Sequence, residues 1–310
     1  MKTPSTTNGE PNSSRVGLVG LGLMGAVIAE RLCERGWQVI GYDIDPAHAQ
    51  RMTAEISLAC DVGDVFGRAE TVILSLPDHH AVTAVLSQIG EEPVDEASAC
   101  RLVIDTTTGD PEATQANADQ LEKAGISMLD ATISGSSQQL ASDEAVVMIG
   151  GDHRVIEAQS HLLDALGQHR VHLGPVGSGS RAKLASNLVL GLHRLVLAEG
   201  LVFAEALGLD PQQFLELLVQ TPAYSRQMDH KGPRMVAGDF ESPAARLRQH
   251  AKDVDLILDC ARSAGIRLPL TPVHARLLAD AIAAGDGDLD NSAIIRQLRP
   301  PTSDRDQPNK

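Results

Sequence analysis

Val16-Gly17-Leu18-Val19-Gly20-Leu21-Gly22-Leu23-Met24-Gly25 opens on residues suited to a short buried strand and closes on glycines spaced G-x-G-x-x-G. Ala26 to Glu34 then reads as a helix closed by Gly36. Gln38 to Tyr42 reads as a second strand, ending in Asp43. A strand before the glycines, a helix after them and an acid at the end of the next strand form the dinucleotide fingerprint. Gly20 permits the tight turn, Gly22 lets a pyrophosphate approach the backbone, and Gly25 lets helix pack closely on strand. The helix start, with Leu21, Leu23 and Met24 in the same turn, offers N–H groups and a positive dipole end to phosphate. At Asp43 a carboxylate accepts ribose hydroxyls and repels a 2′-phosphate, so NAD is expected over NADP. Asp45-Pro46 reads as a helix start, with Asp45 as N-cap.

Working outward, strand signals recur at Thr71–Ser75, Leu102–Asp105, Met128–Asp130 and Ala145–Ile149, with helical stretches at Ala81–Ile89 and Ala113–Lys123 between them. This alternation predicts a mostly parallel sheet with helices on both faces. Ligands in such sheets sit beyond the carboxyl ends of the strands. That places Leu76-Pro77, Thr106 to Thr108 and a loop from Thr132 to Ser136 around one crevice. The threonines either line it or cap the next helix.

Gly177-Ser178-Gly179-Ser180-Arg181-Ala182-Lys183-Leu184-Ala185-Ser186-Asn187 then changes the character of the chain. From this hinge a proline-free apolar run reaches Leu207, predicting a helix of roughly 28 residues, about 40 Å long. A helix that long joins two domains. Lys183 and Asn187 share one of its faces. They suit a proton donor and a substrate anchor, although on spacing alone a solvated lysine beside a buried, helix-bridging asparagine is the preferred reading. Further helices are expected at Asp210–Val219, Ala245–Ala264, Thr271–Ala284 and Ser292–Leu298. The stretch from Tyr224 to Arg234 is polar and basic; it either faces an anion or, by preference, is solvated and paired with the many acids.

The expected architecture is an α/β Rossmann-type, doubly wound N-terminal domain (16–176) and an all-α C-terminal substrate and dimerisation domain (177–298), joined by the long interdomain helix. Polar tails are expected to be disordered at 1–15 and 299–310. A chain of 310 residues accommodates both domains. The net charge of −15 disfavours nucleic acid. No secretory signal is visible and no apolar run is read as membrane-spanning, so a cytoplasmic protein without membrane contact is expected. Cys33, Cys60, Cys100 and Cys260 show no paired or ligand spacing, and no metal site is indicated.

Four blocks in order resemble the β-hydroxyacid dehydrogenases, the group of 3-hydroxyisobutyrate dehydrogenase and tartronate semialdehyde reductase. They are Gly20 to Gly25; Asp130-Ala131-Thr132-Ile133-Ser134-Gly135-Ser136; Gly177 to Asn187, which fits G-x-G-x-x-x-K-x-x-x-N; and Lys252-Asp253 ahead of an apolar helix. The likeness covers Val16 to Leu298. It implies Lys183 as proton donor and acceptor, Asn187 as a substrate ligand, Ser134 and Gly135, with Ser136, around the substrate carboxylate, and Lys252 near the nicotinamide. Leu76, Pro77 and Thr108 fit its weaker cofactor blocks, and Asp43 agrees with its NAD-preferring members. A homodimer or homotetramer is implied as well.

Two positions depart from the family's D-A-P-V-S-G-G. Thr132 replaces the proline and Ser136 the last glycine, which either narrows the pocket or adds a hydroxyl donor. The implied reaction is hydride transfer between NAD and the hydroxyl-bearing carbon of a small 3-hydroxy acid. Lysine titrates near about 10.4, and burial beside positive charge would lower that toward a working base at Lys183. An imine reductase on a similar architecture is a rival, but those enzymes generally lack the lysine. A catalytically silent NAD-binding module is the other.

Overall fold

The computed structural model describes residues 15–89 and 100–299. The chain divides into two compact units, Met1–Lys183 and Leu184–Lys310. The expected tails at 1–14 and 300–310 lie outside the described residues. Arg15 and Arg299, assigned to those tails, are structured: Arg15 begins the first strand and Arg299 pairs with Glu205 at 2.7 Å.

The first unit runs β1 (Arg15–Val19), α1 (Leu23–Glu34), β2 (Gln38–Tyr42), α2 (Pro46–Gln50), β3 (Ser57–Leu58), α3 (Val62–Arg68), β4 (Thr71–Leu74), α4 (His79–Leu86) and β5 (Leu102–Asp105). It continues with α5 (Pro111–Lys123), β6 (Ser127–Ser134), α6 (Ser137–Ala141), β7 (Val146–Gly150), α7 (His153–Ala158), α8 (Ser160–Leu166) and β8 (His169–Gly174). The sheet order is β3-β2-β1-β4-β5-β6-β7-β8. Among the described residues of this sheet, only the β6–β7 pair is antiparallel. Strands β1, β4 and β5 are apolar almost throughout because both sheet faces are covered. One face buries Leu18, Ile28, Leu32 and Ile104; the other buries Val19, Phe66, Val72 and Val103. The order reverses between β1 and β4, the switch point at which such sheets open a ligand crevice.

Three expectations change here. The predicted loop at Thr132 is strand up to Ser134, because Thr132 pairs with Met148 and Ser134 with Val146 across the antiparallel β7. Strands β3 and β8 carried no clear signal: β3 is two residues long, and β8 is an exposed edge rich in histidine. Helices α6 to α8 are one or two turns each, too short for periodicity to show.

The second unit contains most of α9 (Ser178–Ala206), then α10 (Pro211–Val219), α11 (Arg226–Ala237), α12 (Leu247–Ser263), α13 (Thr271–Ala283) and two 3₁₀ segments. The last of these, Asn291–Gln297, replaces the α-helix expected at Ser292–Leu298. Asp210 caps α10 by accepting the Gln213 N–H at 2.8 Å, as its D-P start predicts. The basic stretch from Tyr224 forms α11 despite Pro233 within it. Of its basic residues, Lys231 pairs with an acid: its ammonium is buried against Asp290, at 2.9 and 2.8 Å from the two carboxylate oxygens. Contrary to the sequence reading, α9 is by length and composition apolar enough to cross a membrane. Its apolar residues Leu195, Leu197, Ala198 and Leu201 instead build the core of this unit with Leu215, Met235, Leu247 and Leu278.

Candidate functional site

The glycine turn sits at the switch point. Gly20 has a left-handed φ of 97°, and a Cβ there would overlap the Ser75 carbonyl at the end of β4. Gly25 packs so closely that a Cβ would overlap the Gly20 carbonyl oxygen. Among the described residues, no atom beyond its chain neighbours lies within 4 Å of the Cβ position of Gly22, and no side chain caps α1 there. An open, side-chain-free approach to an uncapped helix start fits a pyrophosphate.

Asp43, expected from the sequence to meet the ribose, makes contacts within its own unit. Its Oδ2 accepts the Leu21 N–H at 2.7 Å, and its Oδ1 accepts the Asp45 N–H at 2.8 Å. The His48 Nδ1 lies 3.0 Å from Oδ2. The carboxylate therefore braces the glycine turn against the end of β2. On the far side of the switch point, the Thr107 hydroxyl accepts the Leu76 N–H at 3.1 Å and the Thr106 hydroxyl donates to the Leu74 carbonyl at 2.8 Å. The threonines sew β4 to β5, while Asp110 caps α5 in their place. Thr108 is half-buried beside them.

Asp105, at the end of β5, pairs in register with Asp130 on β6. Burial pushes its carboxyl up to about 7; contacts to Thr107 oppose the rise and the charge of Asp130 adds to it. The folded state thus keeps a proton that an unfolded aspartate releases near 3.8. The stability this gives is full below about pH 4 and is lost as pH rises through 7. Asp105→Asn is therefore expected to raise Tm more at pH 8 than at pH 5. Equal changes at the two pH values would show that Asp105 carries its charge in the fold.

Asp130 fastens the start of α9. It is 1% exposed. Its Oδ1 accepts the Gly177 N–H at 2.8 Å, and its Oδ2 accepts the Ser180 N–H at 2.7 Å. Two of the free N–H groups at a helix start are thereby satisfied by one buried carboxylate. Gly150 and Gly179 make room, since a Cβ on either would crowd that carboxylate. Thr132 adds a brace, its hydroxyl donating to the Gly179 carbonyl at 3.0 Å. The departure from the family's proline is thus used to hold α9. The signal for Asp130 was present in the sequence, as an acid between the apolar residues Met128, Leu129 and Ala131.

Lys183 follows on the same helix and is only 8% exposed, so it is not the solvated lysine that spacing alone favoured. Asn187, one turn on, is buried and does bridge helices: its Nδ2 donates to Asp253 Oδ2 on α12 at 2.9 Å. The Lys252 ammonium lies 3.2 Å from the other oxygen of Asp253. Asp253 therefore joins two residues that the sequence singled out separately. Further along α9, Gly191 lets the imidazoles of His250 and His274 pack against the helix; a Cβ would come within 2.6 Å of His250 Nε2 and 2.8 Å of His274 Cε1. Burial, with the charge of the buried Arg194 adding to it, pushes His274 down to about 4.

The Ser134–Ser136 turn leaves β6 at a Gly135 φ of 155°. Ser136 N-caps α6 in a capping box with Gln139. Its hydroxyl accepts the Gln139 N–H at 3.2 Å. Sequence reasoning missed the anchor of this helix, Arg31. From the buried side of α1 its guanidinium donates to the carbonyls of Ala165 at 2.8 Å and Leu140 at 2.7 Å, and it pairs with Asp143. An arginine at a core-facing helical position was its signal.

An uncapped glycine turn at a switch point, an acid closing the second strand and a helical unit entered through one long helix define a nicotinamide-dependent oxidoreductase. Two families account for nearly the whole described chain. The family described as the NAD binding domain of 6-phosphogluconate dehydrogenase matches residues 15–174. That described as NAD-binding of NADP-dependent 3-hydroxyisobutyrate dehydrogenase matches residues 177–298. The chain belongs to the β-hydroxyacid dehydrogenase family, the nicotinamide-dependent oxidoreductases of small hydroxy acids.

It is 29% identical to 2-(hydroxymethyl)glutarate dehydrogenase of Eubacterium barkeri, covering 92% of this chain and 94% of that protein. It is 28% identical to 2-hydroxy-3-oxopropionate reductase of Escherichia coli, covering 92% and 97%. The solved structure of Mycobacterium tuberculosis 3-hydroxyisobutyrate dehydrogenase with L-serine superposes with a TM-score of 0.82 at 27% identity, covering 93% and 99%.

Proposed function

We propose that this protein is an NAD-preferring dehydrogenase of a small 3-hydroxy acid, with Lys183 as its general acid and base. The observation that carries the reading is the buried Lys183 on a helix whose start is fastened by Asp130, in a chain that also holds an open dinucleotide turn. The nicotinamide, when bound, gives or takes the hydride. Lys183 takes the proton of the substrate hydroxyl in oxidation and returns one to the carbonyl oxygen in reduction. Asn187, oriented by Asp253, hydrogen-bonds the acid, Ser134 and Gly135 hold its carboxylate, and Lys252 adds positive charge. Asp43 supports NAD over NADP, because its carboxylate repels a 2′-phosphate. Ile44 beside it is exposed and supplies no cation for one.

The test is cofactor reduction with NAD⁺ and with NADP⁺ across a panel of 3-hydroxyisobutyrate, glycerate, threonate and 3-hydroxypropionate, with amine donors alongside. NAD⁺ reduction with at least one acid and none with the amines is expected. Failure with every acid would sink the reading, and faster turnover with NADP⁺ would sink the part assigned to Asp43.

A second copy of the chain is the partner we assign to α9. Val189, Val196 and Phe203 stand seven residues apart on that helix and are 49%, 64% and 64% exposed. That is the spacing of a helix-pairing seam. Gly200 leaves open space beside them for a close approach. Phe203→Glu is expected to shift the assembly toward monomer in size exclusion with light scattering; an unchanged mass would remove this seam from the interface.

A further inference from the structure

Gln139 holds the one backbone N–H that Ser136 can offer. Its Oε1 accepts that N–H at 2.9 Å. An amide N–H carries a single proton, so while this bond stands Ser136 does not donate to a ligand. The backbone beneath is pinned. The Gln139 carbonyl accepts the N–H groups of Glu144 at 2.8 Å and Ala145 at 3.1 Å. The next residue, Leu140, is fully buried, and its carbonyl is held by Arg31. Gly135 packs without a side chain against the stem of Gln139; a Cβ there would lie 3.3 Å from Gln139 Cβ and 2.9 Å from Ala145 Cβ. Only rotation of the Gln139 side chain releases the Ser136 N–H. That release does not uncap α6, because the Ser136 hydroxyl keeps its own bond to the Gln139 N–H.

We propose that Gln139 is a latch on the substrate turn, its carboxamide competing with the carboxylate of the acid for the Ser136 N–H and thereby setting how tightly the acid binds. This rests on the reading that residues 134–136 hold that carboxylate. A neutral carboxamide is the weaker acceptor, since hydrogen bonds to an ionised oxygen are roughly twice as strong. The acid therefore displaces it, at a cost in affinity. The side chain acts through the Ser136 N–H and touches no reacting atom, so its effect falls on KM and leaves kcat in place.

The test titrates 3-hydroxypropionate into the NADH-bound protein by calorimetry, with KM and kcat measured in parallel. Gln139→Ala is expected to lower Kd and KM about fivefold, the share of one hydrogen bond. Gln139→Glu keeps an acceptor in place and adds a like charge, so Kd and KM are expected to rise about tenfold. Opposite shifts at one position do not follow from a loss of folding, and unfolding curves of both variants check the fold. Equal Kd values in the three proteins, or shifts of the same sign, overturn the latch. If wild type and variants all fail to bind this acid and the three others of the panel, the reading of the turn itself falls, and the latch with it.

Discussion

Lys183→Ala is expected to lower turnover of the best acid by about 10²- to 10⁴-fold while leaving NAD affinity near that of wild type. That range is the usual contribution of a positioned general acid or base. The separation of the two effects follows from the structure. The glycine turn, Asp43 and Thr107 make their contacts without Lys183. The start of α9 is held by Asp130 and Thr132 through the backbone of residues 177–180. On the proposed role, removing the ammonium takes away the proton carrier, while these contacts of the turn and of the helix start do not involve it. Lys183→Arg should be nearly as slow, because a guanidinium keeps its proton throughout the working pH range. Cofactor fluorescence titration and single-turnover NADH absorbance measure the two quantities separately. Wild-type turnover in Lys183→Ala would transfer the proton to another group.

Asp130→Ala carries the largest expected cost to stability. The substitution leaves the N–H groups of Gly177 and Ser180 buried without acceptors, and each such loss costs about 1–3 kcal/mol. A total of about 3 kcal/mol is expected, which lowers Tm by roughly 10 °C for a unit of this size. Turnover should fall as well, because the same contacts place the turn of α9 that leads to Lys183. Asp130→Asn should recover part of the loss, since its amide oxygen can accept one N–H while its NH₂ opposes the other. A Tm unchanged in Asp130→Ala would show that α9 is held without this carboxylate.

The glycine fingerprint, the two strands that flank it and the long helix were all legible, each for a local reason. Glycine spacing, apolar runs and the absence of proline are properties of neighbouring residues, and the turn, β1, β2 and α9 follow from them. Asn187 was legible in kind, as a buried residue bridging helices, but its partner Asp253 lies on another helix and no spacing announces it. Thr132 and Ser136 illustrate the limit most directly. As departures from a family pattern they looked like changes to a substrate pocket. In the structure the Thr132 hydroxyl braces the Gly179 carbonyl and Ser136 caps α6. Edge strand β8 and the one- and two-turn helices were missed because pieces so short are held by tertiary packing more than by their own periodicity.

From the sequence by itself came the class of the molecule: a dinucleotide-binding sheet followed by helices, with Lys183 and Asn187 on one face of the long helix between them. The spacing of Gly20, Gly22 and Gly25 and the helical repeat behind Lys183 are written into adjacent residues, so no distant contact is needed to read them. Only the tertiary structure decided which polar side chains are occupied. Asp130 is spent on two N–H groups about fifty residues away, Arg31 on carbonyls and a carboxylate more than a hundred away, and the Ser136 N–H on Gln139. A hydrogen bond depends on where its partner lies in space, and chain distance carries almost none of that information.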